Sequence, residues 1–252
     1  MDVLYINLFT KNMKIPFFDY SKIYKNYSGD FDAIFKKISN NGSFIKQKDL
    51  ELFEYNLSKF HGIKYSVGVG NATDAMQLLL VADEIGANDE VLFCSHTMSA
   101  TASAIKSVGA KPIPVNCNNE YLIDHEDIKS RINSRTKGIF VTQLNGRIAD
   151  MNSIKKIAKK HNLKVFEDAA QAIGSTYLNN AAGSFGVGGC ISFYPAKILG
   201  CFGDGGAVVT NNKKIYEKIL LLRDHGRRNL NVECWGFNSR LDNFQAAILN
   251  FL

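Results

Sequence analysis

From about residue 63 onward the chain alternates short β-rich runs with amphipathic stretches, and this alternation constrains the fold more than any other feature. Strands are predicted at Tyr65–Val69, Glu90–Cys94, Lys111–Val115, Lys137–Val141, Leu163–Glu167, Cys190–Tyr194 and Ala207–Thr210. Several are almost continuously apolar, the pattern of strands covered by helices on both faces. Helices are predicted between them at Thr73–Ile85, Ser99–Val108, Asp124–Ile132, Asp150–His161 and Lys213–Asp224. A β-α-β-α order of this kind implies an open, mainly parallel seven-stranded α/β sheet flanked by helices. No internal repeat or Pro-rich linker interrupts it.

With 252 residues, 46% of them hydrophobic, the chain has enough apolar mass for a real core, as one large domain or two small ones. No run of about 18 apolar residues is present, and the opening MDVLYINLFTKNMKIPFFDY matches neither a signal peptide nor a spanning helix. A cytoplasmic location without membrane attachment is the expectation. The five cysteines, Cys94, Cys117, Cys190, Cys201 and Cys234, include no C-x-x-C pair and read as reduced thiols. The formal charge of +6 is spread over segments such as Lys155-Lys156 and Lys159-Lys160. No aromatic residues interleave with a basic stripe, so these are solvated helix faces and no nucleic-acid partner is expected.

Open α/β sheets bind ligands beyond the carboxyl ends of their strands. Three segments fall there: GNATDAM from Gly70, FEDAAQAIG from Phe166, and SFYPAKILGCFGDGG from Ser192. The first sets small residues and Asp74 at a strand-to-helix turn, where free N–H groups and the helix dipole favour a phosphate. From this segment alone an ordinary turn capped by Thr73 or Asn71 is the favoured reading. In the second, Glu167 and Asp168 close an apolar strand at the edge of a crevice. A carboxylate there calls for a cationic partner, although Asp168 as a helix N-cap is the competing reading. A metal pair is disfavoured because no histidine lies nearby in sequence.

The third segment sets Lys197 among apolar and glycine residues. A lysine in a poorly hydrated pocket has a lowered pKa and can attack an aldehyde. Pyridoxal phosphate requires such a lysine, a carboxylate for its pyridine nitrogen and an anion site for its phosphate. The three segments offer all three. The glycine spacing does not fit a nucleotide-triphosphate loop, G-x-x-x-x-G-K-[ST].

Longer motifs carry a resemblance. IPFFD at Ile15–Asp19, NATDAM, EDAAQAIGSTY at Glu167–Tyr177, AGSFG at Ala182–Gly186, SFYPAKILGCFGDGGAVVTN at Ser192–Asn211 and NSRLDNFQAAIL at Asn238–Leu249 occur in this order. In these the chain, from roughly Ile15 to Leu252, resembles the DegT/DnrJ/EryC1/StrS family of pyridoxal-phosphate-dependent nucleotide-sugar aminotransferases. The resemblance implies the fold type I large domain. It makes Lys197 the lysine bonded to the cofactor and Asp168 the partner of the pyridine nitrogen. Gln171 would bond the phenolic oxygen. Ala72, Thr73, Asp74 and Ser192 would hold the phosphate, with Asn238 reaching the phosphate of the neighbouring subunit of a homodimer. Glutamate as amino donor and a keto-sugar nucleotide as acceptor are implied in the same way.

The family's ring-stacking aromatic is replaced within CSHTMSAT by Met98, with His96 as the alternative and a plain helix start capped by Ser95 or Thr97 as a third reading. His225 is read as structural, since Lys197 already supplies proton transfer. The resemblance also implies residues 1–12 as an extension, with Met13 an alternative start, 13–62 as an arm with helices, and 63–252 as the cofactor-binding domain. A small C-terminal domain would follow LDNFQAAILNFL, whose apolar face of Phe244, Ile248, Phe251 and Leu252 is expected to need a cover. A truncated, non-catalytic cofactor-binding or dimerisation module is therefore an alternative function. A sugar dehydratase is another, against which Lys197 counts, because such relatives carry histidine there.

Overall fold

The computed structural model describes residues 5–7 and 14–252. Apart from Tyr5–Asn7, the extension expected over residues 1–12, with Met13, lies outside the described residues. The chain divides into two compact units, the first ending at Gly42 and the second being Ser43–Leu252. In the first, Tyr5–Asn7 pairs antiparallel with Lys14–Pro16, and two helices follow at Ser21–Asn26 and Ser28–Asn41.

The second unit opens with α1 (Lys48–His61), which ends at Gly62 in the left-handed conformation, φ 61°. Then come β1 (Tyr65–Val69), α2 (Ala72–Ala82), β2 (Glu90–Cys94), α3 (Ser99–Ser107) and β3 (Lys111–Val115). Next are α4 (His125–Arg131), β4 (Thr136–Thr142), α5 (Met151–Lys160) and β5 (Lys164–Asp168). The unit closes with β6 (Gly188–Ser192), β7 (Gly206–Thr210), α6 (Lys213–Leu222) and α7 (Asn243–Phe251). The predicted strands are all present, and helix ends shift for identifiable reasons. Asp124 and Asp150 stand just outside their helices as N-caps, accepting the amides of Glu126 and Ser153. The helix expected to reach Ile85 stops at Ala82, because Glu84 turns left-handed at φ 62°.

The seven strands form one sheet in the order β1-β7-β6-β5-β4-β2-β3. β7 runs antiparallel to both neighbours and the remaining pairs are parallel. The segment between β6 and β7 contains no helix, and a parallel return needs a long crossover. One face packs Val67, Phe140, Phe166, Cys190 and Val208 with Ile105 of α3 and Ile219 of α6. The other face has two clusters, Ile139 and Val165 with Ile154 of α5, and Ile191 and Val209 with Phe53 of α1 and Leu249 of α7. α7 turns Ala246 and Leu249 into the cluster that holds Phe53 of α1; of the face expected to need a cover, Ile248 is fully buried, while Phe251 and Leu252 are exposed. Among the described residues no helix is long and apolar enough to cross a membrane.

Candidate active site

Strand register brings the three predicted segments together. Ser192 at the end of β6 pairs with Gly206, and Gly206 pairs with Val69 at the end of β1. Two residues back from Ser192 on β6, Cys190 pairs with Asp168. Adjacent strands lie about 4.8 Å apart, so the turn after β1, Ser192 and Asp168 occupy one edge of the sheet. Lys197 follows Ser192 in the loop that leaves this edge.

The turn after β1 is both capped and open to an anion. Asn71 Oδ1 accepts the Asp74 amide at 2.8 Å, and Asn71 O accepts the Ala75 amide. The amides of Ala72 and Thr73, in the first turn of α2, have no partner among the described residues. Two unspent donors at the positive end of a helix dipole fit a phosphate. Asp74 is a strut: Ser239 donates from Oγ to Asp74 Oδ2 at 2.7 Å and accepts the Gly70 amide at 3.0 Å. Gly206 makes the close approach possible, since a Cβ there would lie 2.4 Å from the Asn71 carbonyl carbon. Motif reading did not single out Ser239 or Gly206 for these roles. Each acts on residues distant in sequence.

Asp168 is 6% exposed and no helix follows it, so the helix-cap reading does not hold. Its Oδ2 accepts from Thr101 Oγ1 at 2.8 Å; its Oδ1 accepts the Ala170 amide at 3.2 Å and faces the Cys190 thiol at 3.7 Å. Burial, followed by the charge of Asp168, pushes the Cys190 pKa well up and keeps the thiol protonated. Gln171 is half-buried, with Oε1 accepting the Asn145 amide at 3.0 Å.

Lys197 is half-buried where the sequence suggested a buried lysine, and its neighbour Ile198 is 78% exposed. The loop around it is pinned at its base, Phe193 O accepting the Cys201 amide and Tyr194 O the Lys197 amide, both at 2.8 Å. Met98 stands at the N-cap position of α3, 70% exposed and without a side-chain cap bond. His96 lies edge-on to Tyr121, centroids 5.4 Å apart. Neither Ser95 nor Thr97 caps the helix.

Asn238 is exposed, its backbone paired with Asp224. Asp224 in turn binds Lys46 at 2.7 Å, Arg240 at 2.9 Å and Arg227 at 3.0 Å; burial raises its pKa, and Lys46 and Arg227 outweigh that and hold it far below the usual carboxylate range. A cleft of about 710 Å³ lies at the opposite, amino edge of the sheet, lined by Asp83, Lys137, Lys164 and Lys218 among others. It contains none of the predicted site residues. Its charges are partly paired, Lys164 Nζ lying 3.5 Å from Asp83.

Known proteins share both the sequence pattern and the fold of this chain. The chain is 42% identical over 238 residues, 94% of its own length and 66% of the relative's, to a dTDP-3-amino-3,6-dideoxy-alpha-D-galactopyranose transaminase of Aneurinibacillus thermoaerophilus. Among solved structures, S. venezuelae DesV in complex with a ketimine intermediate superposes with a TM-score of 0.90 at 37% identity, covering 94% of this chain and 64% of that one. NtdA of Bacillus subtilis with bound cofactor PMP superposes with a TM-score of 0.85 at 32% identity, covering 96% and 57%. The chain spans just under two thirds of the length of the curated relatives that it matches, 63% of one and 66% of another. The model of the DegT/DnrJ/EryC1/StrS aminotransferase family matches residues 27–251, and the chain belongs to that family.

Proposed function

We propose that this protein is a pyridoxal-phosphate-dependent aminotransferase that moves an amino group from glutamate to a keto-sugar nucleotide in amino-sugar biosynthesis. The observation that carries this reading is the convergence at one sheet edge of the open α2 amides, the buried Asp168 carboxylate and the Lys197 loop. The names of relatives support the sugar: one is a transaminase of a dTDP-linked amino sugar. The PMP-bound neighbour supports the cofactor class.

Pyridoxal phosphate, when bound, supplies an aldehyde that an amine can capture and a ring that accepts electrons. On this reading the amides of Ala72 and Thr73 and the hydroxyls of Thr73 and Ser192 hold its phosphate. Asp168 keeps a proton on the ring nitrogen, and Gln171 bonds the phenolic oxygen. Lys197 would supply the amine that holds the aldehyde and would carry a proton to and from the reacting carbon. Met98 or His96 covers the ring, and Asn238 reaches the phosphate site of a second subunit in a homodimer.

Borohydride treatment of protein mixed with pyridoxal phosphate tests the assignment. Parent protein is expected to yield one adduct, on Lys197, and Lys197→Ala none. An adduct on another lysine overturns it. Bleaching of the bound cofactor's visible band by glutamate, but not by other amino acids, tests the donor.

A further inference from the structure

Three threonine hydroxyls, from three elements, line up on one oxygen of Asp168. Thr142 Oγ1, at the end of β4, lies 3.1 Å from Thr97 Oγ1 in the loop before α3. Thr97 Oγ1 lies 2.9 Å from Thr101 Oγ1, in the first turn of α3, and Thr101 Oγ1 lies 2.8 Å from Asp168 Oδ2. Thr101 is fully buried, and Thr142 is 5% exposed.

A hydroxyl has one proton to donate, and an ionised carboxylate only accepts. The Thr101 proton is therefore committed to Asp168. Thr97 must then donate to Thr101, and Thr142 to Thr97, so the chain of donors runs one way and ends on the carboxylate. The second oxygen, Oδ1, faces the Ala170 amide and the Cys190 thiol, which are donors as well. Every neighbour in hydrogen-bonding reach thus treats Asp168 as an acceptor. The two ends of the carboxylate are held by different elements, α3 on one side and β6 with the β5 turn on the other. Such an arrangement fixes its plane, and bonds of this kind are strengthened by burial and by charge on the acceptor.

We propose that Thr101, oriented by Thr97 and Thr142, is a positioning residue that fixes the Asp168 carboxylate as an acceptor for the ring nitrogen of a bound pyridine cofactor. This rests on the reading of Asp168 given above. Thr101 itself need not touch the cofactor; it acts through Asp168.

The test is the dissociation constant of pyridoxal phosphate, titrated by absorbance and protein fluorescence, for six proteins whose folding is checked by thermal melting. These are the parent, Thr101→Val, Thr101→Ser, Thr97→Val, Asp168→Asn and the double variant Thr101→Val with Asp168→Asn. Thr101→Val keeps the shape and removes the donor, and is expected to weaken binding about tenfold or more, the worth of a hydrogen bond to a charged acceptor. Thr101→Ser restores the hydroxyl and is expected within about threefold of the parent, with Thr97→Val falling between. Added to Asp168→Asn, Thr101→Val is expected to cost less than about twofold more, because residues acting through one another are not additive.

Equal weakening by Thr101→Val in both backgrounds means that it acts by packing alone, and overturns the proposal. So does parent-like binding by Thr101→Val when Asp168→Asn is weakened; that result leaves the role of Asp168 standing. Equal binding by the parent and Asp168→Asn instead removes Asp168 from its role and the proposal with it. If Thr101→Val does not fold, Thr97→Val and Thr142→Val carry the test, and parent-like binding by both overturns it.

Discussion

Glu167 and Asp168 are adjacent on β5, yet the two-residue period of a strand turns them to opposite faces of the sheet. Asp168 meets hydroxyl and thiol donors at the crevice, with one backbone amide. Glu167 is wholly buried on the other face, where its oxygens accept from Gln143 Nε2 and the Gly183 amide at 2.9 Å and from the Phe185 amide at 2.7 Å. Gln143 is anchored in turn, its Oε1 accepting the Ala149 amide at 2.8 Å. Burial pushes the Glu167 pKa up, and the Gly183, Phe185 and Gln143 bonds offset part of that rise. Both oxygens of Glu167 are therefore spent on bracing the AGSFG segment. Two carboxylates one residue apart divide the work: one ties backbone to backbone, and the other is held by side chains at a surface where a ligand can reach it.

The sharpest way to break this contrast is a matched pair of amide substitutions. Glu167→Gln sets an NH₂ against backbone amides that need an acceptor, and is expected to lower unfolding stability by about 3 kcal/mol, read from urea denaturation. Asp168→Asn is expected to lose less stability, because the Thr101 hydroxyl can turn to accept its NH₂ while its oxygen keeps the Ala170 amide, and to lower transamination more than about a hundredfold, the scale of losing one electrostatic element of a site. If both variants lose stability alike, the division of roles fails.

Gly206→Ala probes the crevice side by a different route. The new Cβ meets the backbone of Asn71 at 2.4 Å and must push the turn away from β7. A loss of about 2 kcal/mol, typical of overpacking, is expected together with weaker phosphate binding, measured as inorganic phosphate competition against pyridoxal phosphate.

The smallest effect concerns the far side of the segment that Glu167 braces. His61 is buried near the backbone of Ala182, neither ring nitrogen has a well-formed hydrogen bond, and burial pulls its pKa down to about 4, which the Ala182 backbone only partly offsets. The unfolded chain takes up a proton near pH 6.5, before the folded chain does. Stability is thus fully present above about pH 6.5 and falls as pH drops towards 4, by about 1.4 kcal/mol for the first unit. Urea titrations at pH 7 and 5.5 are expected to show that loss in the parent and not in His61→Phe; an identical loss in both removes His61 as its cause.

Local patterns accounted for much of this molecule. The apolar runs marked all seven strands, and GNATDAM, FEDAAQAIG and the Lys197 loop marked the edge where they end, because strand period, helix capping and turn chemistry act over a few residues. Where local signals competed, the surroundings decided. Asp168 reads equally well as a helix cap, and it is not one because the chain after it turns back along the sheet. Leu249 lies outside the face read as awaiting a cover, yet it is the α7 residue that packs in one cluster with Phe53 of α1. Met98 and Thr97 stand side by side before α3, but only Thr97 is drawn inward, by Thr101 and Thr142.

Local pattern along the chain suffices for the α/β class, the positions of the strands and the residue types available for chemistry at their carboxyl ends. Which of those residues meet is settled only when the elements pack. Thr101 and Asp168 bond across 67 positions, and Ser239 reaches Asp74 across 165. Neither pair shares a helix face or a strand period, so no pattern in the chain announces it. The reversal of β7 belongs with them, since it carries Gly206 to Asn71 and so shapes the anion site. Hydrogen bonds and close packing depend on separation in space, and for residues on different elements that separation is fixed only when the sheet has assembled in its order and register.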